Sequence, residues 1–410
     1  MQEIVFEDPY EFIPPYRGKW WSWLIQHAGL FEIWLRRAEG VISADVQHVD
    51  RLKKSVDEGH GVIIAPNHCR TADPVAMGYL TRAAGIHVYS MAGWHLFKQS
   101  RWIGWAINRL GAFSIYREGV DRQSIDTAIE VLRTAERPLV LFPEGSVTRT
   151  NDQLHALLDG VLFIARTAAK RRARDVPGSK VVIHPVGIKY LFGGDLKKAL
   201  DPVLGAIEQR FSWRPQTDRP LVERITRIGT AILCLKELEY FGSPQPGELG
   251  DRLIGLIDRL LCPLEEEWLG EPSSGPVVPR VKQLRFKILP DMVQKRINEE
   301  ERQRRWRQLA DIYLAQQVSC YLPEYLTGEP SIDRLLETVE RFEEDLTDTF
   351  TVHGSLKAII RVGEAMEVST KRDRKAEIDP MMAELESRLQ GLLDELAPLS
   401  RRYNERTNAD

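Results

Sequence analysis

No run in this sequence approaches the roughly 18 uncharged apolar residues that a membrane-spanning helix needs. The longest candidates are Trp20–Phe31, broken by Ser22, Gln26 and His27, and Ala83–Phe97, broken by glycines and histidines. Any contact with a bilayer is therefore expected to be peripheral. Cysteine is scarce: Cys69, Cys234, Cys262 and Cys320 stand far apart and form no Cys-x-x-Cys pair, which argues against a disulfide framework or a zinc site and for a reducing cytoplasm. The first residues, MQEIVFEDPYEFIPPY, carry acids and prolines where an export signal carries a basic start and an apolar run. Neither a metal nor a resident cofactor is expected, nor a nucleic-acid partner.

What is present is ordinary for a globular chain. Hydrophobic residues make up 43% and charged residues 28% of 410 positions, and that length favours a main domain plus an extension. The net charge of −3 hides an asymmetry, with 26 Lys and Arg against 21 Asp and Glu in residues 1–200 and 30 against 38 in the rest. A basic amino-terminal half suits anionic ligands or an anionic surface, although solvated side chains give the same bias.

Between Gly61 and about Tyr190, short apolar runs alternate with helical periods, the pattern of an α/β sheet with parallel pairings. GVIIA (61–65), IHVYSM (86–91), AFSIYR (112–117), PLVLF (138–142) and VVIHPVGI (181–188) read as strands. Helices are expected at 74–84, at about 94–109, in IDTAIEVLRTAE and at about 154–170. Beyond residue 200 the pattern is helical, broken at SWRPQTDRP, at GSPQPG and at EPSSGPVVP, the last of which reads as a linker. No internal repeat is evident. The expected fold is thus a mixed, largely parallel sheet flanked by helices, with a helical C-terminal extension.

Four segments could carry chemistry. In NHCRTADP, Asn67 and His68 follow a buried strand, and ligands of open α/β sheets bind beyond strand carboxyl ends. Asp73 lies five residues on, where it can fold back on one ring nitrogen of His68 and leave the other basic. Asp73-Pro74 is also what a plain helix start looks like. In FPEGSVTRT, Gly145 allows close backbone approach, Glu144 can accept from hydroxyls and Arg149 can pair with phosphate. GAFSIYR puts Arg117 at a strand end, where a guanidinium suits phosphate or is merely a surface charge. VVIHPVG reads as core, and His184 receives no role.

Together and in this order, over roughly residues 40–200, these segments resemble the four signature blocks of the glycerolipid acyltransferase family, which includes bacterial 1-acylglycerol-3-phosphate acyltransferases. The resemblance implies that His68 and Asp73 form a catalytic dyad, that Arg117 holds an acceptor phosphate, and that Glu144 and Gly145 serve acceptor binding. It implies transfer of an acyl group from acyl-coenzyme A or acyl-carrier protein, as co-substrate, to lysophosphatidate or a similar phosphorylated glycerolipid in phospholipid biosynthesis. Two departures concern the acceptor. Arg70 stands where a serine is usual two residues after the histidine, and Val147 and Thr148 precede Arg149 where the arginine usually follows directly. Arg70 could then supply phosphate binding that a displaced Arg149 cannot.

The implied division is an amphipathic helical segment at 1–40, a catalytic domain at 41–240, a helix and linker at 241–279 and a helical extension at 280–410. Trp94, Phe97, Trp102, Trp105 and Ile107 interleave with Lys98, Arg101 and Arg109 without an acid, as in an interfacial helix. Trp20, Trp21, Trp23 and Trp34, ending in Arg36 and Arg37, could form a second such element. The expected location is cytoplasmic, peripheral to a membrane. The rival readings are a catalytically silent lipid-binding or scaffold protein, a thioesterase, and an acyltransferase for a phosphate-free lysolipid.

Overall fold

The computed structural model describes residues 7–119, 121–372 and 379–404. The chain divides into two compact units, one formed by Tyr10–Gly193 and Gly354–Ser400, the other by Gly194–His353 with the two chain ends.

The first unit is built on a sheet of β1 (Val41–Gln47), β2 (Gly61–Pro66), β3 (Tyr89–Gly93), β4 (Ala112–Ile115), β5 (Leu139–Val140), β6 (Val181–Phe192), β7 (Leu356–Val362) and β8 (Met366–Glu367). The order is β1-β7-β6-β2-β5-β3-β4, with β8 on β6. Among the described residues only β7 and β8 run antiparallel to their neighbour β6; the other pairs are parallel. The mixed, largely parallel sheet expected from the sequence is therefore present.

Helices cover the sheet, so its central strands are buried along nearly their whole length rather than alternating. Every residue of β2 is buried. Ile63, Leu132, Leu139, Ile164, Ile183 and Leu389 share one core that joins the strands to helices Arg122–Thr134, Gly160–Asp175 and Pro380–Leu396. His184 is buried in β6, its ring bonded to Ser55 Oγ at 2.9 Å and to the Gly363 carbonyl at 3.0 Å. It is a strut within the core. Because β2, β5, β3 and β4 are adjacent and parallel, the loops that leave Pro66, Val140, Gly93 and Ile115 emerge on one rim.

Several boundaries differ from those expected. The region 280–410 is not helical throughout: LKAIIRV forms β7 between β1 and β6, and Gly193 N donates to the Ser355 carbonyl at 2.9 Å, so the sheet resumes where it left off. The units accordingly divide near 193 and 354, not at 240 and 279. The helix expected at 94–109 is two, Trp94–Gln99 and Arg101–Arg109, because Ser100 is extended and Gly104 packs directly on the Phe97 backbone. The helical part of the N-terminal segment is likewise two helices, Trp20–His27 and Leu30–Ala38, parted at Gly29; residues 1–6 of that segment lie outside the described residues.

The second unit contains helices Leu196–Arg210, Leu221–Phe241, Leu249–Leu269, Val277–Val293, Glu299–Val318 and Ile332–Thr347. Its first four helices carry an internal repeat that the sequence pattern did not reveal. Glu208, Glu237 and Glu265 are each buried near a helix end, and each receives a bidentate arginine from the fourth residue of the next helix: Arg224 at 2.7 and 2.9 Å, Arg252 at 2.8 and 2.7 Å, Arg280 at 2.8 and 3.0 Å. Eight residues after each glutamate, the backbone N–H of Gln216, Gln245 or Ser273 donates to the same carboxylate at 3.0 Å, and Pro215, Pro244 or Pro272 precedes it.

EPSSGPVVP is thus the turn of the third hairpin rather than a linker. Removing one partner of such a clamp strands a buried charge, which costs about 3–5 kcal/mol, whereas replacing both by apolar residues costs far less. Arg280→Ala, which leaves the buried Glu265 with only the Ser273 N–H, is expected to lower the unfolding free energy by that amount and Glu265→Leu/Arg280→Met by much less, as measured by denaturant titration.

Candidate active site

His68 leaves the carboxyl end of β2, and the chain turns through Cys69–Ala72 into the helix Asp73–Ala84. Asp73 opens that helix without capping it; its carboxylate turns back instead. Oδ2 accepts from His68 Nδ1 at 2.9 Å and from the Arg70 backbone N–H at 2.8 Å, while Oδ1 accepts from the Tyr190 hydroxyl at 2.7 Å. Asp73 is wholly buried and His68 is buried with a tenth of its side chain exposed. The ring of His68 rests on Phe142, centroids 4.2 Å apart, and its Nε2 has no hydrogen bond among the described residues. An imidazole held this way keeps the proton on Nδ1 and presents Nε2 as a base.

The loop after β5 supports the histidine from behind. Glu144 is 1% exposed, with Oε1 accepting the His68 backbone N–H at 2.7 Å and Oε2 that of His155 at 3.1 Å. The His68 carbonyl in turn accepts from Thr148 N at 2.9 Å. Gly145 has φ +72°, and a Cβ there would lie 2.4 Å from Leu158 Cδ1, so the turn needs glycine.

Both oxygens of Glu144 are therefore engaged by backbone, and one of them fixes the His68 peptide. Burial pushes its carboxyl up to about 7. Since that lies above the ordinary 4.5, this group's contribution to stability is fully present below about pH 4.5 and lost as the pH rises through about 7. Glu144→Gln cannot ionise, so its stability deficit relative to the wild type is expected to shrink by about 2–3 kcal/mol between pH 5 and 8. Thermal melts of both proteins over that range check this; a constant deficit would mean the carboxylate stays ionised throughout.

Three other residues expected at the site have different settings. Asn67 is buried, its amide donating to the Ile188 carbonyl at 3.0 Å and accepting the Ile188 N–H at 2.7 Å, so it brackets β6 to the end of β2. Arg70 is buried with its guanidinium 5.6 Å from the Tyr190 ring centroid, and Arg149 is buried in a left-handed backbone conformation, φ +58°. The charges of both act on buried Glu39, which Thr71 also holds at 2.9 Å. Both charges oppose the rise that burial imposes on the Glu39 carboxyl.

Arg117 follows β4 on the shared rim and is half-buried. Burial pulls its pKa below the usual arginine value, and no hydrogen bond engages its guanidinium among the described residues. Tyr190 and Asn151 were not anticipated; Asn151 brackets the Tyr190 backbone at 2.7 and 2.9 Å as Asn67 brackets Ile188. The signal was the apolar run that continues past Ile188 to Phe192. Among the described residues no group of three or more His, Cys, Asp or Glu could hold a metal.

The largely parallel sheet thus carries a buried histidine–aspartate pair beyond one strand and, beyond another, an arginine whose guanidinium has no hydrogen bond among the described residues. Residues 44–189 match the sequence model of the Acyltransferase family. Over 129 residues the chain is 33% identical to a 1-acyl-sn-glycerol-3-phosphate acyltransferase of Streptococcus pneumoniae, covering 32% of this chain and 45% of that protein. A protein of the same description from Bacillus subtilis is 32% identical over 114 residues, 28% of this chain and 54% of its own length. A glycerol-3-phosphate acyltransferase of Baumannia cicadellinicola is 27% identical over 198 residues, 46% of this chain and 22% of its own. The chain spans about half the length, or less, of these relatives. Its sheet-bearing segment is thus similar in sequence to acyltransferases that act in glycerolipid synthesis.

Proposed function

We propose that the protein transfers a fatty acyl group from an acyl thioester, acyl-coenzyme A or acyl-carrier protein, to the hydroxyl of lysophosphatidate or a similar phosphorylated glycerolipid, as a step in phospholipid biosynthesis. The observation that carries this reading is the buried pair of His68 and Asp73, with the unengaged Nε2 of His68 at the sheet rim. Nε2 takes the proton of the acceptor hydroxyl as its oxygen attacks the thioester carbonyl. The tetrahedral intermediate expels the thiolate, which recovers the proton from the imidazolium, leaving ester and thiol. Asp73 stabilises the imidazolium and keeps Nε2 aimed outward. No covalent acyl-enzyme and no cofactor is needed. Arg117 supplies the charge for the acceptor's phosphate.

The substrates of such a reaction are amphiphiles, and the surface offers a place to meet them. Trp102 is 82% exposed, and Trp20, Trp23, Trp34 and Trp105 are also exposed. Trp21 packs edge-on against Trp20 and Trp105, at 4.7 and 4.9 Å, which brings helices Trp20–His27 and Arg101–Arg109 together. Arg17, Lys19, Arg101 and Arg109 lie on the same segments. Exposed tryptophans among cations suit a lipid headgroup layer. Among the described residues no helix is long and apolar enough to cross a membrane. Trp102→Ser is expected to weaken binding to anionic vesicles at least about tenfold, measured by co-sedimentation; unchanged binding would remove this surface from the account.

The reading is tested by incubating the protein with radiolabelled oleoyl-coenzyme A or acyl-carrier protein and vesicles that contain lysophosphatidate, glycerol 3-phosphate or a phosphate-free lysolipid. Ester formed preferentially with a phosphorylated acceptor is expected. Vesicle binding with no ester from any donor and acceptor would overturn it in favour of a silent lipid-binding protein.

A further inference from the structure

Arg117 follows Tyr116 on the way from β4 to Asp121 and the helix Arg122–Thr134. One carboxylate closes this loop. Asp121 Oδ2 accepts the Tyr116 backbone N–H at 3.0 Å, and Oδ1 accepts that of Ser124 at 2.9 Å, capping the helix. Asp121 is itself buried and is secured from a remote part of the chain: the hydroxyl of Tyr10 donates to its Oδ2 and lies 2.9 Å from Ser114 Oγ.

The ring of Tyr10 stacks on Tyr116, centroids 5.1 Å apart at 20°, and meets Trp94 edge-on at 5.5 Å. The segment behind Tyr10 lies along β4, with Ile13 N donating to Ser114 Oγ at 2.8 Å and Ser114 N to the Ile13 carbonyl at 3.1 Å. Tyr10 thus ties the end of β4 to the end of β3. Arg117 crosses the same gap: its Nε lies 3.2 Å from where a Cβ on Gly93 would stand. Burial raises the Tyr10 hydroxyl well above its usual value, so it remains a donor at any working pH.

We propose that Tyr10 and Asp121 are positioning residues that hold the Arg117 loop in the conformation that receives the acceptor's phosphate. This rests on the reading of Arg117 given above. A lone guanidinium on a free loop loses conformational entropy when it binds, and a loop already closed at both ends loses less, so the benefit falls on acceptor affinity and not on the chemical step. Tyr10 lies outside the segment matched to the family, which makes acceptor binding depend on residues 10–14.

Tyr10→Phe keeps both ring contacts and removes only the hydroxyl. With lysophosphatidate as acceptor it is expected to raise the acceptor KM roughly tenfold, leaving kcat and the KM for the acyl donor within about twofold and the melting temperature nearly unchanged. Asp121→Asn should act in the same direction. In an Arg117→Ala background Tyr10→Phe should add little, because the group it positions is gone. A fall in kcat with unchanged acceptor KM, an equal rise in donor KM, or a full additional effect on Arg117→Ala would overturn the proposal. An unchanged acceptor KM for Arg117→Ala by itself would instead refute the phosphate role of Arg117, and with it this inference.

Discussion

His68→Ala is expected to lower kcat by about a hundred- to ten-thousand-fold, the range general-base help commonly supplies, while the protein stays folded. Among the described residues the side chain makes one hydrogen bond, to Asp73, and one ring contact, to Phe142, whereas the position of the loop depends on the His68 backbone, held by Glu144 and Thr148. Those backbone contacts survive the substitution. Steady-state rates alongside thermal melts separate chemistry from folding, and a folded His68→Ala that keeps near-normal kcat would end the assignment.

Asp73→Asn should be nearly as damaging to rate and more damaging to stability. An asparagine fills the same volume, but it has one acceptor oxygen where the carboxylate has two, and its NH₂ would face either the His68–Arg70 pair of donors or the Tyr190 hydroxyl. One orientation forces Nδ1 of His68 to accept, which puts the proton on Nε2 and abolishes the base. The other leaves the tyrosine hydroxyl opposite a donor and still removes the charge that stabilises the imidazolium. Loss of kcat by about 10²–10⁴ and of about 1–3 kcal/mol of stability is expected. Tyr190→Phe, which removes one donor and leaves the dyad intact, should cost much less rate than either. Equal losses for Tyr190→Phe and Asp73→Asn would mean that the carboxylate's structural role outweighs its chemical one.

The site was legible in sequence to the extent that its parts are local. His68 and Asp73 are five residues apart, and the strands before them, before Glu144 and before Arg117 announce themselves as buried apolar runs. What local pattern conveys less well is what a side chain spends its polar atoms on. Asn67, Arg70, Arg149 and Glu144 all look like substrate ligands from their chemistry, and all four are buried and engaged within the protein. Tyr190 reached the dyad unforeseen because β6 runs four residues past the expected strand end.

The larger omission was topological. β7 pairs with β6 across an insertion of 160 residues, Gly194–His353, and LKAIIRV is too short to tell strand from helix by its own spacing. The repeat in the inserted helices escaped notice for a different reason. Its identity lies in three glutamates, three prolines and three arginines at nearly constant intervals, while the apolar residues between them differ.

The central claim, direct transfer of the acyl group to a lipid hydroxyl by the His68–Asp73 pair, is tested most directly by following thiol release from oleoyl-coenzyme A or acyl-carrier protein with and without lysophosphatidate vesicles. Almost no thiol is expected until the acceptor is added, then thiol and ester in equal amounts, both lost in His68→Ala. A stoichiometric burst of thiol without acceptor, or steady release of free fatty acid in place of ester, would contradict it.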